Sequence, residues 1–310
     1  MIKTEPISQQ KLLGLDSYIL ELVRLYEDNA YPNKILLSGL KGVGKSTLAY
    51  HFINYVLSKN ENNSYDLKNF EIHSNSKTFR TILNKSNTNL INLDINSDKK
   101  IIEISQIRKL IDDLNKSSFN NKPRFVLIDN IELLNVNSIN ALLKVLEEPN
   151  RNINFILIHN YKKTLATLLS RCINYKINLS NKECKNILYH LLEDDLENLI
   201  NNDLINYYFT PGNILNLVRF AEKNNLNLVE FDLKALLKII IKENHYKTDP
   251  FIRYIIFDLI EFYFRKLNTS ISKKISHKYS HYLKRFSDTK IYNLDEESIF
   301  MEFEDEILNG

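Results

Sequence analysis

The sequence predicts an α/β protein: a doubly wound parallel sheet over the first half of the chain, then a small helical domain, then an all-helical C-terminal domain. Short apolar runs alternate there with stretches of helical period, the strand–helix–strand order of a sheet covered on both faces. Two of these runs, 125–128 and 155–158, are apolar at every position, where a half-solvated strand would alternate with polar residues. Past about Leu179 the strand signal stops and helical periodicity alone continues. The boundaries that follow are 1–178, 179–225 and 226–310.

In chain order, the run 35–38 is a strand that ends in a glycine-rich turn. Residues 47–57 then repeat Leu48, Phe52, Ile53 and Val56 at helical spacing. The stretch 59–100 is polar and irregular, with one extended candidate at 90–95. Ser105 offers a cap for a helix carrying Ile107, Leu110, Ile111 and Leu114. Between the two apolar strands, 138–148 reads as a helix stopped by Pro149. Residues 180–224 read as short helices with a break at Thr210-Pro211-Gly212. Leu233, Leu236, Leu237 and Ile240 mark an amphipathic helix, and Ile299, Phe300, Phe303 and Ile307 a closing one within the acidic stretch 295–306.

At 310 residues and 36.5 kDa the chain can bury a full apolar core without staples. Cys172 and Cys184 are its only cysteines; two thiols exclude a disulfide framework, a four-thiolate zinc site and a cysteine-held iron–sulfur cluster. Their environment is expected to be that of small buried hydrophobes. The opening MIKTEPISQQ is too polar for a signal peptide, and no apolar run approaches a bilayer's span. A soluble cytoplasmic protein is expected. Forty-one Lys and Arg against 38 Asp and Glu give a net of +3, too little for tight autonomous binding to nucleic acid.

The segment Gly39-Leu40-Lys41-Gly42-Val43-Gly44-Lys45-Ser46 fits the phosphate-loop pattern G-x-x-x-x-G-K-[ST], after an expected strand and before an expected helix. Its glycines let backbone N–H groups turn toward phosphate oxygens, and the helix N-terminus adds partial positive charge. Gly39, Gly42, Val43, Gly44, Lys45, Ser46 and Thr47 are therefore the candidate nucleotide-binding residues. Lys45 would reach the β- and γ-phosphates and Ser46 would offer its hydroxyl to Mg²⁺. Asp129, at the carboxyl end of the strand 125–128, is the second candidate for Mg²⁺. The residue after it is Asn130, and an amide cannot act as a general base, so hydrolysis at this site is expected to be weak or absent. Glu132, two positions on, would be displaced by several ångströms from a base's place.

Asn140-Ala141-Leu142-Leu143-Lys144-Val145-Leu146-Glu147-Glu148-Pro149 resembles the NALLKxLEEP signature of bacterial DNA polymerase III clamp-loader subunits, members of the AAA+ family. Ser170-Arg171-Cys172 resembles their SRC motif, and Leu13-Gly14 their N-terminal segment. With the phosphate loop, the resemblance covers about residues 12–178 and continues weakly beyond as lid and collar. It implies ATP and Mg²⁺ as ligands and Arg171 as an arginine finger acting in trans on a neighbour's ATP. Two types in the family share these motifs. The γ/τ motor has Asp-Glu after its second strand and a four-cysteine zinc module; this chain has Asp129-Asn130 and no cysteine before Cys172, and no long extension beyond the third domain is expected. Those departures favour the δ′ type, in the alphaproteobacterial form that keeps its phosphate loop. No zinc is expected. The implied partners are γ/τ and δ subunits in a hetero-pentamer that loads the sliding clamp onto primed DNA, with no membrane. The rival readings are an autonomous γ/τ-type ATPase motor and a P-loop small-molecule kinase. In the lid, Asn213 stands where the resemblance would place a positive charge, and Arg219 lies six residues later.

Two further signals are set aside. His277 and His281 have an i, i+4 spacing without an HExxH pattern, and the cluster Lys273, Lys274, Lys278, Lys284 and Arg285 reads as a solvated helix face.

Overall fold

The structure, a computed structural model, describes residues 5–94, 101–116, 120–147, 152–161, 166–205, 210–268, 279–282, 284–286, 288–289 and 295–309. The chain forms two compact units, residues 1–191 with 210–212 and residues 192–209 with 213–310.

The first unit is built on a five-stranded sheet: β1 (Lys34–Ser38), β2 (Leu90–Leu93), β3 (Arg124–Ile128), β4 (Ile153–His159) and β5 (Ile173–Lys176). The order is β2-β3-β4-β1-β5 and every pairing is parallel. Alternate side chains of one strand enter opposite cores, because successive residues point to opposite faces. Ile35 and Leu37 of β1, Phe125 and Leu127 of β3, and Ile156 and Ile158 of β4 pack under α1 (Asp16–Glu27), α2 (Lys45–Ser58) and α3 (Lys77–Leu83). Leu36, Val126, Ile128 and Leu157 pack on the other face, under α4 (Ile104–Asn115), α5 (Val136–Glu147) and α6 (Ala166–Leu169). The doubly wound sheet read from the apolar runs is thus present.

Several elements depart from the sequence reading. The helix assigned a Ser105 cap is capped two residues earlier by Glu103, whose capping box is completed by Gln106; a carboxylate satisfies the same first-turn N–H groups that a hydroxyl would. Within the polar stretch 59–94, α3 is capped by Ser76 and buries Phe79 and Ile82. The strand β5 was not anticipated; it is a four-residue edge whose side chains are mostly exposed. The helix that follows the break at Thr210-Pro211-Gly212 already begins within it, at Pro211 of α10 (Pro211–Lys223), where a missing N–H costs nothing. Pro149 lies outside the described residues.

The segment from Glu61 to Thr78 is fastened by hydrogen bonds. Glu61 accepts from Ser76 Oγ at 3.0 Å, from Thr78 Oγ1 at 2.6 Å and from Thr78 N–H at 3.2 Å, with Lys122 Nζ at 3.8 Å. Burial works to raise its carboxyl, but the Thr78 and Ser76 hydrogen bonds outweigh it and hold the group below the usual carboxylate range. Tyr65 and Ile72 anchor the same stretch in the apolar core.

The second unit is helical. α7 (Asn181–Leu192) runs up to it; α8 (Leu196–Leu199), α9 (Asn202–Ile205), α11 (Leu233–Lys242), α12 (His245–Thr248), α13 (Pro250–Asn268) and a closing helix Glu296–Phe303 belong to it, with α10 from Asn213 on. Leu233, Leu236, Leu237 and Ile240 are all buried, as their spacing predicts. The closing helix is capped by Asp295 and buries Ile299, Phe300 and Phe303. Phe303 packs edge-on against Phe264 and Tyr282 at centroid distances of 5.5 and 5.8 Å.

Candidate functional site

The sheet order places β4 between β1 and β3, so the carboxyl ends of these three strands converge. Ligands of open α/β sheets bind outside the strands' carboxyl ends. After β1 the chain enters the loop 39–44, whose Gly39 N–H donates to His159 O at 3.2 Å. Val43 is buried in the core and anchors the loop. Gly42 and Gly44 have φ of +90° and +93°, a left-handed backbone that glycine adopts without steric penalty. Gly44 is the N-cap of α2 and supplies no capping side chain, so the first-turn N–H groups of Lys45, Ser46 and Thr47 lack the side-chain acceptor a helix start ordinarily has.

Lys45 is 3 % exposed. Its ammonium donates to Gly39 O at 2.9 Å and Leu40 O at 2.6 Å. Burial pushes it down to about 8, against the opposing pull of Asp129 and Glu132. Ser46 Oγ donates to Asp129 Oδ2 at 2.6 Å, so the two side chains singled out for Mg²⁺ from positions 83 residues apart meet directly. Desolvation raises the Asp129 carboxyl, although the Ser46 hydrogen bond works against it. A buried ammonium bonded to two carbonyls, a helix start with no capping side chain, and a hydroxyl–carboxylate pair beside them form a donor set that suits a polyphosphate with its metal.

Around Asp129 the chain carries amides. Asn130 has φ +56° and donates its N–H to Asp129 Oδ1 at 2.8 Å. Its side-chain amide reaches Asp94 Oδ1 at 3.3 Å. Asn160, directly after β4, donates from Nδ2 to Asn130 Oδ1 at 3.0 Å and to Glu132 Oε1 at 2.8 Å, and its N–H lies 3.4 Å from Glu132 Oε2. Glu132 thus sits on the 3₁₀ turn Ile131–Leu133 with its carboxylate held by Asn160. Sequence reasoning missed Asn160, although its signal equals that of Asp129: a polar residue closing a wholly buried strand.

Thr210 and Gly212 were also missed as neighbours of the loop. Thr210 Oγ1 donates to Lys41 O at 2.9 Å, and Gly212 N–H to Gly42 O at 2.9 Å. The approach is close enough that a Cβ on Gly212 would lie 2.7 Å from Gly42 Cα. No local sequence pattern reports a contact across 169 positions.

Arg171 lies away from this loop, in the turn after α6. Its Nη2 and Nε donate to Glu147 Oε1 at 2.5 and 3.0 Å, and Nη1 to Thr167 O at 2.7 Å. Burial raises the thiols of Cys172 and Cys184 to about 11, which leaves them protonated and packed. His277, Lys273, Lys274 and Lys278 fall outside the described residues; Arg285 pairs with Glu302. Among the described residues there is no group of three or more His, Cys, Asp or Glu placed to hold a metal ion, and no helix is long and apolar enough to cross a membrane.

Residues 15–181, more than half of the chain's 310, match the family described as "DNA polymerase III, delta subunit". The chain is 30% identical over 235 residues to the DNA polymerase III subunit gamma of Buchnera aphidicola subsp. Schizaphis graminum, covering 73% of this chain and 62% of that one. It is 25% identical over 262 residues to subunit delta' of the same organism, covering 78% and 74%. In the tau/gamma subunit of Haemophilus influenzae the match spans 27% of the protein. Among solved structures, a gamma subunit-related protein of Thermotoga maritima superposes with a TM-score of 0.52 at 19% identity, covering 92% of this chain and 96% of that one, which shows a shared fold. The phosphate loop, the strand-end carboxylate, the helix 140–147 and the sheet order fall inside the matched residues, and the chain belongs to the DNA polymerase III delta-subunit family of AAA+ clamp-loader subunits.

Proposed function

We propose that this chain is a δ′-type clamp-loader subunit that binds ATP and Mg²⁺, hydrolyses ATP weakly or not at all, and supplies Arg171 in trans to a neighbouring subunit's nucleotide. The loop N–H groups of Gly42–Thr47 with Lys45 would hold the phosphates, and Ser46 with Asp129 the metal. Bound nucleotide would supply a polyanion whose charge Lys45 and the α2 N-terminus neutralise. Residues 179–225 would serve as lid and 226–310 as collar, in a cytoplasmic hetero-pentamer with γ/τ and δ subunits that loads the sliding clamp onto primed DNA. A guanidinium beside a transferring phosphoryl can be worth ~10³–10⁵ in rate, so the subunit contributes to catalysis without its own base.

The observation that carries this reading is Asn130 following Asp129, tied through Asn160 into a network of amides. An amide takes no proton from water. The rival γ/τ-type reading is favoured by Glu132, whose carboxylate is near enough to bias the Lys45 ammonium. ATP binding by the purified chain without steady turnover, and an Arg171→Ala variant that binds ATP normally but lowers DNA-stimulated hydrolysis by the reconstituted loader, are expected. Brisk turnover by the chain alone that collapses in Glu132→Gln would establish the motor instead.

A further inference from the structure

We infer that Glu147 is a positioning residue that latches Arg171 in the free subunit and competes with the neighbour's phosphate for the same guanidinium; the inference rests on the trans-acting reading of Arg171. Leu168 of α6 is fully buried in the core that also holds Leu142 and Leu146 of α5. That packing brings the turn after α6 against the end of α5, and Glu147 is the next residue after Leu146. Oε1 of Glu147 accepts from both Nε and Nη2 of Arg171, and the Thr167 carbonyl takes Nη1. Three of the five guanidinium donors are therefore spent inside the chain, and two of them, on Nε and Nη2, make up an edge that a phosphoryl oxygen pair would need.

The pair is built to open. Side-chain exposures of 34% for Arg171 and 55% for Glu147 leave it in contact with water, where ion pairs are weak and screened by salt. A polyphosphate carries more charge than one carboxylate and can offer one oxygen to each of Nε and Nη2, where Glu147 gives both the single Oε1, so it outcompetes Glu147 when a neighbour presents it. Until then the arginine is held folded back, and the fraction of subunits with a free guanidinium sets the apparent affinity of this step. An exposed pair of this strength corresponds to about a two- to five-fold reduction in that fraction.

Two measurements on the full chain and the reconstituted loader test this. In the isolated subunit the Arg171 Nε–H resonance should be resolved and slow to exchange with solvent, and Glu147→Gln should speed its exchange. In the loader, at limiting amounts of this subunit, Glu147→Gln should raise DNA-stimulated ATP hydrolysis by about two- to five-fold, the gain should shrink as salt is raised, and the added Arg171→Ala should erase it. Equal exchange in both proteins, or hydrolysis unchanged or lowered in Glu147→Gln while Arg171→Ala still impairs the loader, overturns the latch alone. Arg171→Ala without effect on the loader overturns the trans arginine, whatever the exchange shows.

Discussion

Lys45 sits in the protein at a cost, and replacing it should separate binding from stability. Burial lowers its ammonium from 10.5 to about 8, a destabilisation of roughly 3 kcal/mol for the charged form at neutral pH. Its two bonds to Gly39 O and Leu40 O return part of this, about 1 kcal/mol each. Lys45→Met keeps the length of the side chain and removes the charge, so the nucleotide-free protein should gain about 1 kcal/mol by urea denaturation. With ATP·Mg²⁺ at a hundredfold excess over its Kd, the parent protein should gain about 2.7 kcal/mol and the variant nothing. The order of the two stabilities should therefore reverse on adding nucleotide. A variant that is less stable without ATP by more than about 1 kcal/mol, or one still stabilised by ATP, refutes the reasoning.

Three other perturbations have definite outcomes. His51 is buried on α2 with Nδ1 2.9 Å from the Tyr65 hydroxyl, and burial pushes its imidazole down to about 4; an unfolded histidine titrates near ~6.5. The unfolded state therefore takes up the proton first. The contribution is intact above about pH 6.5 and is lost as the pH falls toward 4, about 2 kcal/mol of it by pH 5. Urea denaturation of His51→Gln should show that much less loss between pH 7 and pH 5, and equal losses would exclude His51 as the source. Gly212→Ala places a methyl 2.7 Å from Gly42 Cα; stability should fall by about 1–3 kcal/mol and calorimetry should show weaker ATP binding, whereas an unchanged Kd would show that this contact does not shape the loop. Glu61→Ala removes the acceptor of three hydrogen bonds from Ser76 and Thr78. It should cost about 1–3 kcal/mol and speed amide exchange at the start of α3; full protection there would mean the apolar anchors suffice.

The parts of the fold that were legible in the sequence are those where burial leaves no choice of residue. β3 and β4 are covered on both faces, so the runs 125–128 and 155–158 within them are wholly apolar, and the strands announced themselves along with Asp129 at the end of one. The glycines at 42 and 44 were legible because only a left-handed loop needs them there. β5 was silent for the opposite reason: Ile173-Asn174-Tyr175-Lys176 lies exposed at an edge, where hydrogen bonds to β1 hold it without an apolar run. α3 was hidden because only two buried apolar residues, Phe79 and Ile82, carry it within a polar stretch. Contacts such as Thr210 with Lys41, or Arg171 with Glu147, join residues whose separation is set by the fold. Their chemistry is visible in the sequence but their meeting is not.

The amides around Asp129 act as a set, and this bears on whether one substitution separates the two clamp-loader types. Asn130 occupies φ +56°, a region Asn tolerates better than Glu because its short polar side chain bonds locally. Its Oδ1 accepts from Asn160, and its Nδ2 donates to Asp94. A carboxylate at 130 would lose the bond to Asp94 and set its charge beside that of Asp94 and, across the Asn160 amide, that of Glu132. Like charges gathered at one place disfavour the charged form of each. The backbone at 130, the partners of Asn160 and the place of Glu132 are thus mutually consistent with a site that holds nucleotide without a base at position 130, and a carboxylate restored there is expected to serve better when Glu132 or Asp94 is neutralised with it.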